Sequence, residues 1–526
     1  MVRCGETCPM HLRIRQSAAL PELAWALRVR RADSIADLIC GNAVEIDEAG
    51  IIAGIWSAPF SNRAVADATS FAGTAIRKDR DPDRLVALCG NASPTPLHIH
   101  RTGSQLVISN ALALGLACGE DGLRPSYAFY PQELYLDFAG PHRRHDGLRT
   151  AKGTLQVAYH SVELDRALRL QRLVPPPVPA FDGYRAYRSL LVSELRAMFA
   201  NAADPGRRIR YRPIVALSKG YDSPAAAVLA AEAGCREAMT YRQCIEMGDD
   251  SGEEIARQLG LSVTAFETFA YKNRTDLPEI EFIAASFSGG QVYLAGSEQV
   301  LSQTIVVGGG GGDVVWDRAY GENAANQDPN APLHLSGYGS IDFFLRLPAI
   351  EVAVPAIAAS RSAEIGAIAR SPETAPWSVG LEYDRPLARR IVEEAGIARG
   401  TFAQEKRRAA PPYDSVSRRA PGLDLFLSPH SLSEFERWFS VRRPLRPAAA
   451  LAHKLATDTI GRILWSKKTA RALAKASLPW PPFAHRIRHL RFPKRKNAFL
   501  FTWAVERQIS AYREALGRKA PPLLLP

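Results

Sequence analysis

Two serines, a lysine, a glycine and an aspartate occur together in residues 218–223, which read Ser-Lys-Gly-Tyr-Asp-Ser. Hydroxyl and backbone N–H groups in such a loop can hold phosphate oxygens, and a carboxylate can bind a hard cation such as Mg²⁺. The loop contains neither Gly-x4-Gly-Lys-Ser/Thr nor Gly-x-Gly-x-x-Gly, so two better-known phosphate loops are excluded. The stretch is therefore an anion-binding loop or, alternatively, an ordinary turn between a strand and a helix.

A second stretch of small residues consists of five consecutive glycines, residues 308–312, followed by Asp313. Glycines let the backbone approach a ligand closely and take positive φ values. A flexible linker is the alternative, but linkers seldom follow a β-branched strand directly and end on a carboxylate. Residues 304–307, Thr-Ile-Val-Val, predict such a strand. The glycine run therefore predicts a second loop that faces a ligand.

The elements that must position the first loop are a strand and a helix. Residues 214–217, Ile-Val-Ala-Leu, predict a buried strand. After the loop, Ser223 is a suitable N-cap, Pro224 suits the first helical position and Gly234 is a natural helix end. Such a helix N-terminus directs N–H groups and the helix dipole at an anion.

Strands and helices continue to alternate after this helix. Residues 237–241 and 262–266 predict strands, and residues 251–254, Ser-Gly-Glu-Glu, predict a capping box that opens the helix between them. Alternation of this kind indicates an α/β domain with a parallel sheet, whose ligands bind at the carboxyl ends of the strands.

The first loop resembles the Ser-Gly-Gly-x-Asp-Ser loop of the N-type ATP pyrophosphatases, the PP-loop superfamily, which includes asparagine synthetases, β-lactam synthetase and lasso-peptide cyclases. These enzymes cleave ATP to AMP and pyrophosphate and activate a substrate as an adenylate. The resemblance implies an adenine nucleotide α-hydrolase-like fold in which Ser218, Lys219, Gly220 and Ser223 hold pyrophosphate while Asp222 binds Mg²⁺. Lys219 replaces the usual glycine; it could add charge, but it takes strained φ values less easily.

The glycine run resembles the Ser-Gly-Glu-Gly-Ala-Asp motif of the asparagine synthetases. The resemblance implies that Gly309 and Gly311 lie against the nucleotide and that Asp313 holds Mg²⁺ together with Asp222. The glutamate of that motif, a tyrosine in some relatives, falls on Gly310. A group that would help to handle the attacking amine is therefore missing. Three explanations are open: another residue supplies this group, the nucleophile is not the amine that the family uses, or the protein has lost turnover.

A third resemblance concerns residues 401–411, which follow a predicted basic amphipathic helix over residues 383–396. Asparagine synthetases carry, after a similar helix, a loop whose lysine stabilises charge as the adenylate forms and is attacked. Lys406 is the best match, so the resemblance implies a catalytic role in electrostatic stabilisation. The alternative is a solvated basic loop.

Residues 1–172 predict an α+β domain with short strands, including a hairpin over residues 97–109 that turns at Thr102-Gly103 and a strand over residues 154–159. Asparagine synthetases carry here an Ntn-type glutaminase domain with an N-terminal cysteine nucleophile. Residue 2 of this chain is Val2, and the nearest cysteine is Cys4. We therefore expect a degenerate glutamine-amidotransferase-like domain without glutaminase activity.

Other possible metal ligands lack the partners that a metal site needs. Cys4, Cys8 and His11 form a group of three near the start of the sequence, and no second pair follows at zinc-finger spacing. His98 and His100 would share one face of a strand, but the sequence suggests no third ligand. We expect structural roles for these residues.

Composition and charge set the broad class of the protein. With 526 residues, 46% hydrophobic and 23% charged, the chain predicts a soluble globular protein of two or more domains. A transmembrane-length apolar run and a signal peptide are not expected, and seven scattered cysteines argue against a disulfide framework. A cytoplasmic location is the default expectation.

The basic residues are concentrated at the end of the chain. Of the formal net charge of +12, residues 441–526 carry +16, from 19 lysines and arginines against three acids, so the other 440 residues carry −4. Such a segment could contact RNA, an anionic membrane or an acidic partner, or form the solvated face of capping helices. Nucleic-acid binding is possible but not favoured.

These observations predict a domain order and an activity. Residues 1–172 form the amidotransferase-like domain, residues 173–182 a Pro-rich linker, residues 183–430 the asparagine-synthetase-like ATP-binding domain and residues 431–526 a basic helical extension. The expected activity is Mg·ATP-dependent adenylation of a carboxylate, followed by attack of an amine. The alternatives are an RNA-modifying PP-loop adenylase and a non-catalytic nucleotide-binding protein. The carboxylate, the amine, the pathway and the oligomeric state are not predicted.

Overall fold

The computed structural model describes residues 9–31, 33–131, 133–134, 147–243, 248–286, 290–318, 337–380, 384–404, 422–442 and 496–518. Within these ranges the protein is mixed α/β and contains three β-sheets. Over the same ranges, none of the helices combines the length and the apolar character that crossing a membrane requires.

Two of the sheets are formed by the strands that precede residue 173. These strands are β1 His11–Gln16, β2 Trp25–Arg30, β3 Ile35–Cys40, β4 Glu45–Asp47, β5 Gly50–Trp56, β6 Phe71–Lys78, β7 Arg84–Cys89, β8 Leu97–Thr102, β9 Gln105–Ser109, β10 Leu148–Arg149, β11 Thr154–Ala158, β12 Val162–Asp165 and β13 Leu170–Arg172. Sheet A has the order β1-β3-β2-β9-β8-β11-β10, and sheet B has the order β13-β12-β7-β6-β5-β4. Neighbouring strands are antiparallel except β1 and β3.

Sheets A and B share a buried core. Trp25 on β2 donates its indole N–H to Thr74 Oγ1 on β6 at 2.8 Å, and both side chains are buried. The predicted hairpin over residues 97–109 is confirmed as β8 and β9. Its turn lies one residue later than predicted, because Thr102 pairs with Gln105 and leaves Gly103 and Ser104 as the loop.

Sheet C consists of five parallel strands and confirms the predicted α/β pattern. They are β14 Arg212–Leu217, β15 Glu237–Tyr241, β16 Ser262–Phe266, β17 Thr304–Gly308 and β18 Ile350–Ala353, in the order β16-β15-β14-β17-β18. The chain passes from β14 to β15 on one side, whereas β17 lies on the other side of β14. The strand order therefore reverses between β14 and β17, and such a reversal opens a crevice at the carboxyl ends of the two strands.

The helices surround these sheets. They are α1 Leu112–Cys118, α2 Gly183–Ala202, α3 Asp222–Ala233, α4 Glu253–Gln258, α5 Ile280–Ala285, α6 Glu298–Leu301, α7 Gly312–Val315, α8 Ile341–Arg346, α9 Ser362–Arg370, α10 Pro386–Glu394, α11 Leu423–Phe426, α12 Pro429–Arg442 and α13 Leu500–Ala515. Short 3₁₀ segments lie between them, at Phe60–Asn62, Val65–Asp67, Ala270–Asn273, Val292–Leu294, Gly337–Ser340, Val354–Arg361, Ala375–Trp377, Arg399–Thr401 and Lys496–Phe499.

The helix after β14 begins at Asp222, two residues before Pro224, the predicted first helical residue. Its N-cap is Tyr221, and Gly234 ends it in the left-handed conformation, as predicted. The prediction that Ser223 is the N-cap is wrong, because the Ser223 hydroxyl instead accepts a hydrogen bond from the Ser218 N–H at 3.1 Å. The hydroxyl therefore closes the loop between β14 and α3.

The predicted capping box at residues 251–254 is also displaced. Helix α4 begins at Glu253 with Gly252 as its N-cap, while Ser251 forms a β-bridge with Ser218. A Cβ atom at position 252 would lie 2.5 Å from Leu217 Cγ. Glycine is required there because the start of α4 lies directly against the end of β14.

Helix α13 connects the two parts of the chain. It packs on α1, which covers strands of sheet A, and on α5, which packs on α8 beside β18 of sheet C. Trp503 of α13 is fully buried, with its ring 5.6 Å from that of Phe435 on α12. The described part of the basic extension thus contributes core side chains as well as charge.

Candidate functional site

The two predicted loops meet at the carboxyl ends of β14 and β17. Val215 pairs with Val307 in the parallel register, so the loops leave the sheet side by side. A Cβ atom at Gly309 would lie 2.3 Å from the backbone carbon of Asp222, and one at Gly312 would lie 2.6 Å from the Asp222 carboxyl carbon. Glycine is required at both positions because the second loop lies in contact with Asp222.

Gly311 shapes the second loop. It has a φ of +81°, in the left-handed region that favours glycine, and it is the N-cap of α7. The Gly312 N–H donates to the Gly309 carbonyl at 3.0 Å and closes the turn. By contrast, a Cβ atom at Gly308 would meet nothing closer than 4.0 Å. The glycine run therefore contains both required and replaceable glycines.

The first loop is held by its own hydroxyl groups. The Ser218 and Ser223 hydroxyls lie 2.8 Å apart, and the Gly220 N–H donates to Ser218 Oγ at 3.4 Å. All three residues are partly accessible to solvent. The structure thus brings the predicted phosphate-binding hydroxyls together in one small region beside Asp222.

Lys219 does not direct its charge into this loop. Its ammonium group forms an ion pair with Asp249, and its N–H donates to Asp250 Oδ1 at 3.2 Å. Lys219 and Gly220 both have negative φ values, so lysine at this position causes no left-handed strain. The loop accommodates Lys219 by turning its side chain toward the segment after β15.

Arg385, which the sequence analysis did not identify, forms an ion pair with Asp222 at the centre of the site. Its guanidinium forms an ion pair with Asp222 Oδ2 across 163 residues of sequence, and Arg385 is 7% exposed. The feature of the sequence that could have identified Arg385 is its position immediately before Pro386, near the start of the predicted amphipathic helix. The proposed metal-binding carboxylate therefore already has a cation beside it.

Helix α10 is fixed against the first loop by a second arginine. Arg389 donates to the Tyr221 hydroxyl at 2.5 Å, and its guanidinium lies 5.0 Å from the Tyr221 ring and 5.3 Å from the Phe402 ring. The Ala403 N–H donates to the Lys219 carbonyl at 2.6 Å. The helix predicted to be basic and amphipathic thus buries arginines on aromatic rings, and the chain after it contacts the loop.

The two remaining predicted site residues are Asp313 and Lys406. Asp313 lies in the first turn of α7, beside Gly312, and is exposed to solvent. Lys406 lies outside the described residues, although the chain leading to it reaches the loop through Phe402 and Ala403. The structure therefore places Asp313 on the exposed surface of the second loop and its helix, and the roles of Asp313 and Lys406 stay predictions.

The donor atoms around Asp222 fit a nucleotide's phosphates better than an isolated metal ion. Two hydroxyls and two glycine-lined turns lie beside Asp222, whereas the described ranges contain no group of three or more His, Cys, Asp or Glu that could hold a metal. An oxygen-preferring cation would need phosphate oxygens to complete its ligands here.

The histidines considered as ligands are core residues of β8. Burial lowers the pKa of His98 to about 4. His100 is fully buried, and its Nε2 lies 2.9 Å from Asp121 Oδ2. His11 is exposed, and Cys4 and Cys8 lie outside the described residues.

Two buried carboxyl groups near sheet C have unusual titration. Burial raises the pKa of Glu351 on β18 to about 8, although the Ser340 hydroxyl donates to it at 3.3 Å. Burial, with the nearby Glu281 carboxylate, raises the pKa of Asp342 on α8 to about 8. Both groups therefore hold their protons to a higher pH than carboxyl groups in water do.

No protein-family model matches the chain, and no curated protein matches it. Among solved structures it is similar to a glutamine-dependent NAD+ synthetase from Acinetobacter baumannii in complex with ADP, with a TM-score of 0.24 and 14% sequence identity over 63% of this chain. The match covers 50% of that protein, so the chain spans about half of its length. This similarity is too low to support an argument about function.

Proposed function

We propose that this protein is an ATP-dependent amide-forming ligase that adenylates a carboxylate, with release of pyrophosphate, and lets an amine attack the adenylate. The observation that carries the proposal is the contact between two glycine-containing loops at Asp222, where the order of parallel strands reverses. Such a crevice suits a nucleotide. The motif resemblances of both loops favour ATP as that nucleotide.

Each group of the two loops would have its own role in this reaction. The Ser218 and Ser223 hydroxyls and the Gly220 N–H would hold the leaving pyrophosphate, while Gly309 and Gly311 allow the second loop to lie close to it. Preorganised donors of this kind stabilise the charge that develops as the phosphorus–oxygen bond breaks. Lys406, on the segment after Ala403, would contribute a further positive charge in the transition state.

Asp222 and Asp313 would hold Mg²⁺, which when bound would offset the negative charge of the phosphates. In the structure Arg385 is the counter-ion of Asp222. We propose that Arg385 exchanges this carboxylate for a phosphate oxygen when the nucleotide binds, because a guanidinium binds carboxylate and phosphate with the same geometry. This exchange would couple nucleotide binding to the position of α10, because Arg385 immediately precedes that helix.

The amine would come from a substrate rather than from glutamine. Gly310 lacks the side chain that handles an amine in the resembled motif. An amine that is itself nucleophilic near neutral pH needs less help from the protein. A small-molecule or peptide carboxylate and an amine are therefore the proposed substrates.

A nucleotide-binding protein without turnover is the second candidate. The ion pair between Asp222 and Arg385 favours it, since the positive charge of the arginine opposes a metal cation at the same carboxylate. In that case ATP would bind without forming AMP.

The proposal is tested by incubating the full chain with Mg·ATP and a panel of carboxylates and amines and measuring AMP and pyrophosphate. AMP formation that depends on one carboxylate is expected. The Asp222→Ala variant should lose roughly 100-fold or more of this rate. Asp67→Asn, which alters an exposed aspartate between β5 and β6 of sheet B, is the matched control and should retain this rate.

Each outcome assigns a different function. ATP binding without AMP under every condition would replace the ligase by the non-catalytic candidate. Undiminished AMP formation in Asp222→Ala would remove the loops from the reaction.

A further inference from the structure

A second cavity, separate from the loops at sheet C, lies on the outer face of sheet A. Its volume is about 350 Å³, within the range of small-molecule sites. Strands β1, β3 and β2 form its floor. The chain around the ends of α1 and α13, including Cys118, Leu516 and Arg518, forms its wall.

Strand register aligns the charged residues of the floor. Arg13 and Arg28 are both direct neighbours of Asp37, one on each side, and both form ion pairs with it. Arg15 and Ile39 pair in the next row of the same face, two residues along each strand. Two arginines therefore share one carboxylate, and a third lies directly beside them.

The wall contributes a fourth arginine. Arg518 donates to the Ala117 carbonyl at 3.1 Å and lies 3.4 Å from the exposed Glu120 carboxylate. Among the described residues, Arg15 has no carboxylate within 4.0 Å. With Asp37 and Glu120 counted, the four arginines leave a net charge of +2 at the cavity.

The positive charge of three arginines of the cavity acts on the Cys118 thiol in its wall. Burial raises the pKa of this thiol to about 11, while the charges of Arg518, Arg28 and Arg15 lower it. A concave surface with a surplus of one charge attracts counter-ions. Ala26, Ile39 and Leu516 add apolar surface beside the arginines.

We propose that this cavity binds a small phosphate monoester that carries an apolar group. Phosphate matches the charge surplus of +2, and guanidinium groups bind its oxygens in bidentate pairs. The apolar group would contact Ile39 and Leu516. The proposal does not depend on the function proposed for the loops at sheet C, because the cavity shares no residue with them.

The test is calorimetric titration of the full chain with phenyl phosphate, and with phthalate as a dicarboxylate of similar size. Phenyl phosphate should bind more tightly than phthalate, and Arg15→Glu should weaken it by about tenfold or more. The Arg15 side chain is exposed and forms no ion pair among the described residues, so this variant should fold normally. Arg30→Glu, on exposed β2 surface outside the cavity lining, is the matched control and should bind as the unmodified chain does.

Three results would overturn the proposal. They are no binding of phenyl phosphate at millimolar concentration, equal or tighter binding of phthalate, and equal weakening by Arg15→Glu and Arg30→Glu. The last result would show a general charge effect on the surface.

Discussion

Asp222 is the residue on which the proposed site depends, because both loops and α10 contact it. The second loop approaches it at Gly309 and Gly312, and Arg385 pairs with its carboxylate. The aspartate and the glycines were recognisable from their spacing in the sequence. The arginine was not, because 163 residues separate it from Asp222 and its role depends on how α10 packs.

Lys219 provides a test at the residue scale. Its ammonium group pairs with Asp249, and the two side chains are 35% and 64% exposed. A pair this exposed contributes less than about 1 kcal/mol. Lys219→Ala should therefore change the free energy of unfolding by less than that amount and leave ATP affinity unchanged, as measured by urea denaturation and calorimetry. A large loss of ATP affinity would show that Lys219 reaches the phosphates.

Arg385 gives a second prediction at this scale. If its guanidinium transfers from Asp222 to a phosphate, Arg385→Ala should weaken ATP binding, since the phosphate loses a charged partner. We expect about tenfold weaker binding in calorimetry. Arg385→Lys should recover part of the affinity. Tighter ATP binding in Arg385→Ala would indicate that the arginine only blocks the carboxylate.

At the scale of elements, the site is a contact between the ends of β14 and β17. The sequence was sufficient to predict these two strands, a parallel sheet and the glycine loop, because buried β-branched runs and glycines have strong local preferences. It did not predict that the two strands are direct neighbours. The N-cap at Ser223 and the capping box at Ser251 were predicted wrongly. The Ser223 hydroxyl bonds the Ser218 N–H instead, and the Ser251 backbone forms a β-bridge with Ser218 while the Ser251 hydroxyl accepts a hydrogen bond from the Glu253 N–H. Tertiary contacts of this kind shift helix starts that local preferences alone predict.

Two glycine substitutions test the contact between the loops. Gly309→Ala would place a Cβ atom 2.3 Å from the Asp222 backbone and must push the loops apart, whereas the same change at Gly308 meets no atom closer than 4.0 Å. Gly309→Ala should cost about 1–3 kcal/mol of stability and weaken ATP binding. Gly308→Ala is the matched control. Equal effects of the two changes on denaturation midpoint and ATP affinity would contradict the close approach of the loops.

At the scale of the whole molecule, α13 joins sheet A to the region of sheet C. It packs on α1, and Arg513 of α13 donates to the Asp121 carbonyl across 392 residues of sequence. The charge pattern of residues 441–526 indicated a basic segment. It did not indicate that a helix of this segment packs against the N-terminal region. Hydrophobic side chains such as Trp503 determine where the helix docks, and composition alone does not encode their partners.

Asp342 makes stability depend on pH. Burial raises its pKa to about 8 in the folded protein, from the ordinary aspartate value of 3.8. Between these values the folded state holds a proton that the unfolded state has lost, so stability falls as pH rises, by about 1.4 kcal/mol per pH unit. Asp342→Asn removes the ionisable group and should flatten this slope. Denaturation at pH 5 and pH 8 measures it, and an unchanged slope would contradict the buried acid.

The central claim is that residues 218–223 and 308–313 form one nucleotide site. Hydrogen–deuterium exchange of the full chain with and without Mg·ATP tests it most directly. We predict that ATP slows exchange in peptides from both loops together, and that Asp222→Ala abolishes the protection in both. Protection of one loop alone, or of neither loop under conditions where ATP binds, would contradict the claim.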